Sequence, residues 1–124
     1  MARVFLDTNF YIDVTQRAKE KWGPLEGSLL FISPLSTHIL FYLRKLKVPT
    51  QAVNEFQEQF GIVPFTKDIL DIALEGPTND LEDNIQLHGA AEAECDVFLT
   101  SDKELLKLKF FGKTKIIQEV ASFV

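Results

Sequence analysis

Two aspartates each follow a short apolar segment, and the two segments lie near opposite ends of the chain. Asp7 comes directly after residues 3–6 (RVFL), and Asp102 comes shortly after residues 95–99 (CDVFL). Because open α/β sheets place ligands at the carboxyl ends of their strands, we expect both carboxylates at the same sheet edge. Two neighbouring carboxylates repel each other unless a cation lies between them. The pair therefore predicts a site for a hard divalent metal ion.

A third acidic segment, residues 80–83 (DLED), lies at the start of a predicted helix. Asp80 and Asp83 are three positions apart, so both project from one side of the first helical turn. Acids are favoured at helix N-termini, and this preference is the favoured interpretation of Asp80 and Glu82. A supplementary ligand role for Glu82 is the alternative, although adjacent helical positions face different directions. Asp83 is expected to join Asp7 and Asp102, because this helix precedes the strand that ends before Thr100 and can direct its first turn to the same edge.

Converged carboxylates support a defined chemistry. Mg²⁺ takes oxygen ligands and is typically held by one or two carboxylates together with phosphate oxygens. A bound metal makes its water more acidic and stabilises the charge that develops on a phosphate. Hydrolysis of a phosphodiester at such a site needs no histidine, cysteine or lysine nucleophile.

The apolar pattern predicts alternating strands and helices and hence an α/β domain with a mainly parallel central sheet flanked by helices, spanning residues 1–124. The first helix begins at Asp7 or Thr8, the second at Ser36 or Thr37, and residues 17–27 form a polar loop. The predicted strands cover residues 3–6, 28–32, 62–64, 95–99 and 115–117, the last at the sheet edge. The other predicted helices begin near residues 50, 66, 80 and 102, and a final helical turn reaches Phe123.

Composition indicates a globular protein of the cytoplasm. The 124 residues suit one domain, and the chain contains no apolar run of membrane-spanning length and no secretory signal. The single cysteine, Cys95, forms no internal disulfide, which agrees with a reducing compartment. A net charge of −5 argues against a generic basic nucleic-acid binder but not against a metal-dependent nuclease, because metal ligands contribute to the acid excess. Basic residues cluster at positions 44–47 and 103–115.

The three acidic segments resemble the motifs of PIN-domain ribonucleases, many of which are the toxins of VapBC toxin–antitoxin pairs. The matching residues are 6–9 (LDTN), 80–83 (DLED) and 99–102 (LTSD), and residues 32–36 and 115–119 extend the resemblance over essentially the whole chain. The resemblance implies a parallel sheet with acids at its carboxyl edge. It also implies an endoribonuclease dependent on Mg²⁺ or Mn²⁺, with RNA as substrate and an antitoxin-like protein as partner.

The resemblance also assigns roles to individual residues. Asp7, Asp83 and Asp102 match the catalytic, metal-binding acids. Asn9 matches an amide that holds a carboxylate or a metal-bound water, and Thr100 matches the hydroxyl before the last acid. The chain departs from the pattern at Ile39, where the family usually has glutamate. The adjacent His38 offers a metal or phosphate ligand, although a surface histidine is the preferred interpretation.

Two other functions remain open from the sequence. Ile39 favours a catalytically weakened module of the same fold that binds RNA or protein without cleaving it. A metal-dependent phosphatase or a receiver-like domain is the second alternative, but a receiver requires an acid pair after the first strand, and only Asp7 is present there. The 11 phenylalanines exceed what a core of this size clearly needs, which predicts a homodimer.

Overall fold

A computed structural model describes residues 1–120, which build one six-stranded sheet of order β3-β2-β1-β4-β6-β5. The strands are β1 (Arg3–Leu6), β2 (Leu29–Ile32), β3 (Phe60–Ile62), β4 (Val97–Leu99), β5 (Phe110–Phe111) and β6 (Thr114–Ile117). Every neighbouring pair is parallel except β5 and β6, which form an antiparallel hairpin. The prediction of a mainly parallel α/β sheet is therefore confirmed.

Six α-helices flank the sheet within the described residues. They are α1 (Thr8–Ile12), α2 (Pro34–Arg44), α3 (Gln51–Gln57), α4 (Lys67–Ala73), α5 (Leu81–Glu92) and α6 (Lys103–Leu106). A π-helical turn (Asp13–Arg17) follows α1, and a 3₁₀ segment (Lys19–Leu25) lies in residues 17–27, which were predicted to be a polar loop. None of the helices in residues 1–120 has the length and apolar composition of a membrane span.

The central strands β1 and β4 are adjacent, with Val4 opposite Val97 and Leu6 opposite Leu99. Both strands are covered on both faces, which explains why their sequences are continuously apolar rather than alternating. Successive side chains point to opposite faces, so Leu6 and Phe5 enter separate cores. The core on one face includes Leu6, Tyr11 and Leu40, and the core on the other face includes Phe5, Leu87 and Phe98.

The N-terminal edge of the sheet is held by Arg3. Its backbone N–H donates to the Asp96 carboxylate (2.9 Å), and its guanidinium donates twice to the carbonyl of Ala93, the C-cap of α5 (2.7 and 3.1 Å). The same guanidinium lies 4.5 Å from the centroid of the Phe31 ring. Arg3 therefore joins β1, β2 and the end of α5 at the edge opposite Asp7.

The observed starts of the helices agree only in part with those predicted from the sequence. Asp7 is the N-cap of α1, as expected, and its carboxylate accepts a hydrogen bond from the Phe10 N–H. Helix α2 is capped by Ser33, and Pro34 occupies its first turn, so the predicted cap at Ser36 or Thr37 is wrong. Proline is well suited to the first helical position because it lacks an N–H that would otherwise be unpaired.

Three further predictions are corrected or lie outside the described residues. The third strand begins at Phe60, two residues before the predicted start. Strand β6 is internal rather than at the edge, because the two-residue strand β5 pairs with its outer side. The helical turn predicted to reach Phe123 falls on residues 121–124, outside the described part of the chain.

We expect Phe98→Ala to lower the free energy of unfolding by about 3–5 kcal/mol, because it opens a cavity in a close-packed core. Phe98 is fully buried, and its ring stacks on that of Phe5 with centroids 5.5 Å apart. Phe110→Ala is the matched control, since Phe110 is 58% exposed on β5. Urea denaturation measures both variants, and an equal loss in the two would contradict this description of the core.

Candidate functional site

Asp7 lies between the two central strands at the carboxyl edge of the sheet. Its backbone N–H donates to the carbonyl of Leu99 (3.0 Å), so the residue continues the β1–β4 pairing. Its Oδ1 accepts from the Phe10 N–H (2.7 Å), and its Oδ2 accepts from the Thr100 hydroxyl. The residue is 6% exposed. Asp7 is therefore a buried carboxylate whose orientation is fixed by both its oxygens.

Asp102 lies at the same edge and is the N-cap of α6. Its Oδ1 accepts from the N–H groups of Glu104 (2.8 Å) and Leu105 (3.2 Å), and the side chain is exposed. Its own N–H donates to the hydroxyl of the fully buried Thr100 (3.0 Å). Because that hydroxyl also donates to Asp7, Thr100 links the two aspartates directly.

Asp83 lies in the first turn of α5 and is half-buried. The N-cap of this helix is Asp80, whose carboxylate accepts from the Asp83 N–H (2.9 Å). Asp80 therefore lies at the helix N-terminus, where acids are favoured, and its carboxylate caps the helix.

The negative charges of the acids at this edge contribute to the raised pKa values of Asp83 and Asp7. Burial raises the pKa of Asp83 to about 7, with further contributions from the negative charges of Asp80, Asp102, Glu82 and Asp7. Burial also raises the pKa of Asp7, although its hydrogen bonds from Thr100 and Phe10 oppose the shift and the charges of Asp102 and Glu82 add to it. Repulsion of this kind requires proximity, so Asp7, Asp83 and Asp102 lie within electrostatic reach of one another.

The oxygen ligands at this edge are of the type that binds a hard cation, but they are not grouped as they are in a completed metal site. In residues 1–120, no three Asp, Glu, His or Cys side chains are grouped closely enough to hold a metal ion as they stand. The donor set consists of carboxylate oxygens with a neighbouring hydroxyl, which is the ligand type that Mg²⁺ and Mn²⁺ prefer. Burial is the largest cause of the raised pKa values of Asp7 and Asp83, and a bound cation would also offset the repulsion that adds to it.

One residue of this edge, Gln86, was not predicted, and the role of Glu82 was left open between a preference for the helix N-terminus and a supplementary ligand. The charge of Glu82 contributes to the raised pKa of both Asp7 and Asp83. Gln86 is 1% exposed and hydrogen-bonds to both Glu82 and the backbone of Thr8. The sequence signal that could have identified Gln86 is a glutamine among the apolar positions of a helix, because a buried amide must find hydrogen-bond partners.

The remaining candidates lie around this edge. Asn9 is exposed on α1, and its side-chain amide makes no hydrogen bond within residues 1–120. His38 is exposed on α2. Ile39 is half-buried and packs against the core beneath α2. Thr8, expected to cap the backbone, instead pairs its hydroxyl with that of the buried Ser36 (2.9 Å).

No family model matches the chain, and no curated protein is similar to it in sequence. A similar solved structure is that of VapBC2 from Rickettsia felis bound to a DNA fragment from their promoter. The match covers 92% of this chain and 96% of the other, with a TM-score of 0.67 and 14% sequence identity. At this identity the likeness establishes the fold alone: the chain has the same α/β fold as the chain that it matches.

Proposed function

We propose that this protein is an endoribonuclease dependent on Mg²⁺ or Mn²⁺ and that it acts as the toxin of a toxin–antitoxin pair. One observation carries the proposal. Asp7 and Asp102, from distant parts of the chain, are joined through the Thr100 hydroxyl at the carboxyl edge of the sheet, and their charges contribute to the raised pKa of Asp83. Such an edge is where α/β proteins place their chemistry, and a site of mutually repelling acids is suited to a cation.

In this proposal Asp7, Asp83 and Asp102 hold the metal. When bound, the metal supplies an acidified water and stabilises negative charge on the phosphate. The buried hydroxyl of Thr100 orients Asp7, and the amide of Asn9 orients a carboxylate or a water at the rim. The exposed lysines of residues 103–113 increase the local concentration of RNA by attracting its phosphates.

We expect Asp7→Asn to abolish RNA cleavage while leaving the protein folded. Asparagine keeps the shape and capping ability of Asp7 but removes an anionic ligand, so the metal binds less tightly. In EDTA, the variant should be at least as stable as the wild type, because the substitution removes charge repulsion at a buried position. Cleavage of labelled RNA with added Mg²⁺ or Mn²⁺, together with thermal melting in EDTA, measures both effects.

Asp68→Asn is the matched control, since Asp68 is an exposed acid in the first turn of α4. It should cleave RNA like the wild type. Cleavage that persists in EDTA, or full activity of Asp7→Asn, would contradict the mechanism. A lower melting temperature of Asp7→Asn in EDTA would indicate that Asp7 is a structural acid.

The stability of the metal-free protein should fall as the pH rises from about 4 to 7. The folded-state pKa of Asp83 is raised to about 7 from 3.8, so the folded protein binds more protons than the unfolded chain in this interval. Asp83→Asn should flatten the dependence and raise the melting temperature at pH 7.5 by about 3–6 °C, the shift expected for roughly 1 kcal/mol in a domain of this size.

Melting curves in EDTA between pH 5 and 8 test this expectation. Mg²⁺ at pH 7.5 should stabilise the wild type more than Asp83→Asn, because ligand binding to the folded state adds stability. A wild-type melting temperature that rises between pH 5 and 7 would refute the raised pKa of Asp83.

A non-cleaving module of the same fold, which binds RNA or protein, is the second candidate. It is favoured by Ile39, which packs against the core at the α2 position where the resemblance leads us to expect glutamate. If the nuclease proposal holds, cleavage by the wild type should be weak, and Ile39→Glu should increase it. The comparison uses kcat/KM on one RNA, with Ile72→Glu on exposed α4 as control. No cleavage by either protein with either metal would favour the binding module.

We further propose an antitoxin-like protein partner and a homodimer. The matched structure is of VapBC2 with promoter DNA, which is the source of the partner proposal. The homodimer is supported by exposed apolar side chains rather than by the phenylalanines, since few of the 11 are among the exposed large hydrophobic residues. The most exposed of these apolar side chains after residue 1 are Val48, Tyr42, Leu74, Leu43 and Phe110.

A further inference from the structure

A cavity of about 300 Å³ adjoins the aspartates at the carboxyl edge of the sheet. Two of the residues that line it are directly attached to that edge. Phe10 donates its N–H to Oδ1 of Asp7 (2.7 Å), and Ser101 lies between Thr100 and Asp102 in the chain. A ligand bound in this cavity would therefore lie beside the candidate site.

The wall of the cavity combines apolar side chains with a few polar groups. Phe10 and Leu25 are 7% and 2% exposed, and Pro24 and Val120 also line the cavity. Ligand cavities in proteins are mainly apolar, contain few polar groups and have volumes of about 300–1,000 Å³. This cavity lies at the lower limit of that range, so it suits one small planar group rather than an extended ligand.

The charged residues in the wall are Glu20, Glu119 and Lys21. Neither glutamate makes a side-chain hydrogen bond or an ion pair within residues 1–120. The Nζ of Lys21 donates to Oδ2 of Asp13 (3.0 Å) and lies 5.3 Å from the centroid of the Phe10 ring. An ammonium group has three donors, so Lys21 can donate to a second acceptor while it keeps Asp13. The cavity therefore offers two carboxylates and one N–H donor group beside an aromatic ring.

These groups exclude some ligands and match one RNA base in particular. Two carboxylates repel a phosphate, so the cavity is not suited to the RNA backbone. A carboxylate accepts two parallel hydrogen bonds, and an ammonium group donates to a carbonyl oxygen. Guanine has a Watson–Crick edge with two adjacent donors, N1–H and N2–H₂, next to the acceptor O6. The corresponding edges of adenine, cytosine and uracil each present one donor, so these bases match the two carboxylates less well.

We propose that this cavity binds a guanine base of single-stranded RNA and that Glu20, Glu119 and Lys21 select it. Bases of single strands are recognised by stacking against side chains and by hydrogen bonds to the Watson–Crick edge. Because the cavity adjoins Asp7 and Asp102, the bound guanine lies close to the phosphate that is cleaved. The inference rests on the proposed ribonuclease function for the source of the base, whereas the cavity wall contains none of the proposed metal ligands.

Guanosine binding to the full chain in EDTA tests the cavity without RNA or metal. Titration should shift the backbone amide NMR signals of Phe10, Leu25 and Ser101, because these residues line the cavity. Inosine lacks the 2-amino group and should bind about tenfold more weakly, because one hydrogen bond to a charged group is lost. Adenosine and cytidine should bind at least as weakly as inosine. Equal affinities for the four nucleosides, or unchanged signals at these three residues, would overturn the assignment.

The double variant Glu20→Gln with Glu119→Gln tests the two carboxylates. It should bind guanosine about tenfold more weakly or worse, because a neutral amide accepts hydrogen bonds less strongly than a carboxylate. Both positions are exposed, so we expect the variant to fold like the wild type.

Glu26→Gln is the matched control, because Glu26 is an exposed acid at the C-cap of the same 3₁₀ segment and lies outside the cavity wall. It should bind guanosine like the wild type. Wild-type affinity of the double variant for guanosine would overturn the selection by Glu20 and Glu119.

Cleavage of two RNAs that differ at one position separates this inference from the proposed function. With Mg²⁺ or Mn²⁺, an oligouridine that contains one guanosine should have a kcat/KM about tenfold above that of the same strand with adenosine. The double variant should reduce this ratio towards one. If both RNAs are cleaved equally well by the wild type, guanine selection in RNA is overturned and the nuclease proposal stands. If guanosine binds as stated but neither RNA is cleaved with either metal, the proposed function fails while the assignment of the cavity to a guanine base is supported.

Discussion

The parallel pairing of β1 with β4 is the constraint on which the rest of this edge depends. The pairing sets Leu6 opposite Leu99, so the residues that follow the two strands are adjacent even though they are far apart in sequence. Asp7 and Thr100, 93 positions apart, are joined by a buried hydrogen bond for this reason. A one-residue shift in the register of either strand would move its side chains to the opposite face and separate the two residues.

A buried carboxylate at the end of this pairing requires a polar environment, and three helices supply it. The backbone of α1 and the Thr100 hydroxyl satisfy both oxygens of Asp7, α2 contributes the Ser36 hydroxyl to Thr8, and α5 contributes Gln86. Every buried side-chain nitrogen and oxygen in the described residues has a hydrogen-bond partner. The turn after β1 is therefore held from several directions, although the acids around it repel one another.

The sequence predicted those features that depend on local patterns. Continuous apolar runs identified β1 and β4, and an aspartate after a strand identified the cap of α1. It missed features that depend on tertiary packing. Strand β5 has only two residues, too few to produce an alternating pattern, so β6 was taken as an edge strand. Glu82 was offered only as a supplementary ligand because adjacent helical positions face different directions, and that argument does not include the hydrogen bond from the Gln86 side chain one turn away. The mutual approach of Asp83 and Asp7 depends on how α5 crosses the sheet, which no local pattern specifies.

Arg3, at the opposite edge of the sheet, contacts the C-terminal end of the helix whose first turn carries Asp83. Its guanidinium binds the carbonyl at the C-cap of α5, where the helix dipole is negative, while the acids lie at the N-terminus, where the dipole is positive. Helix α5 thus has a cation at one end and anions at the other, both in the order that its dipole favours. Because these two contributions act at opposite ends of α5, the contact of Arg3 continues to stabilise the helix when an acid of its first turn is neutralised by protonation.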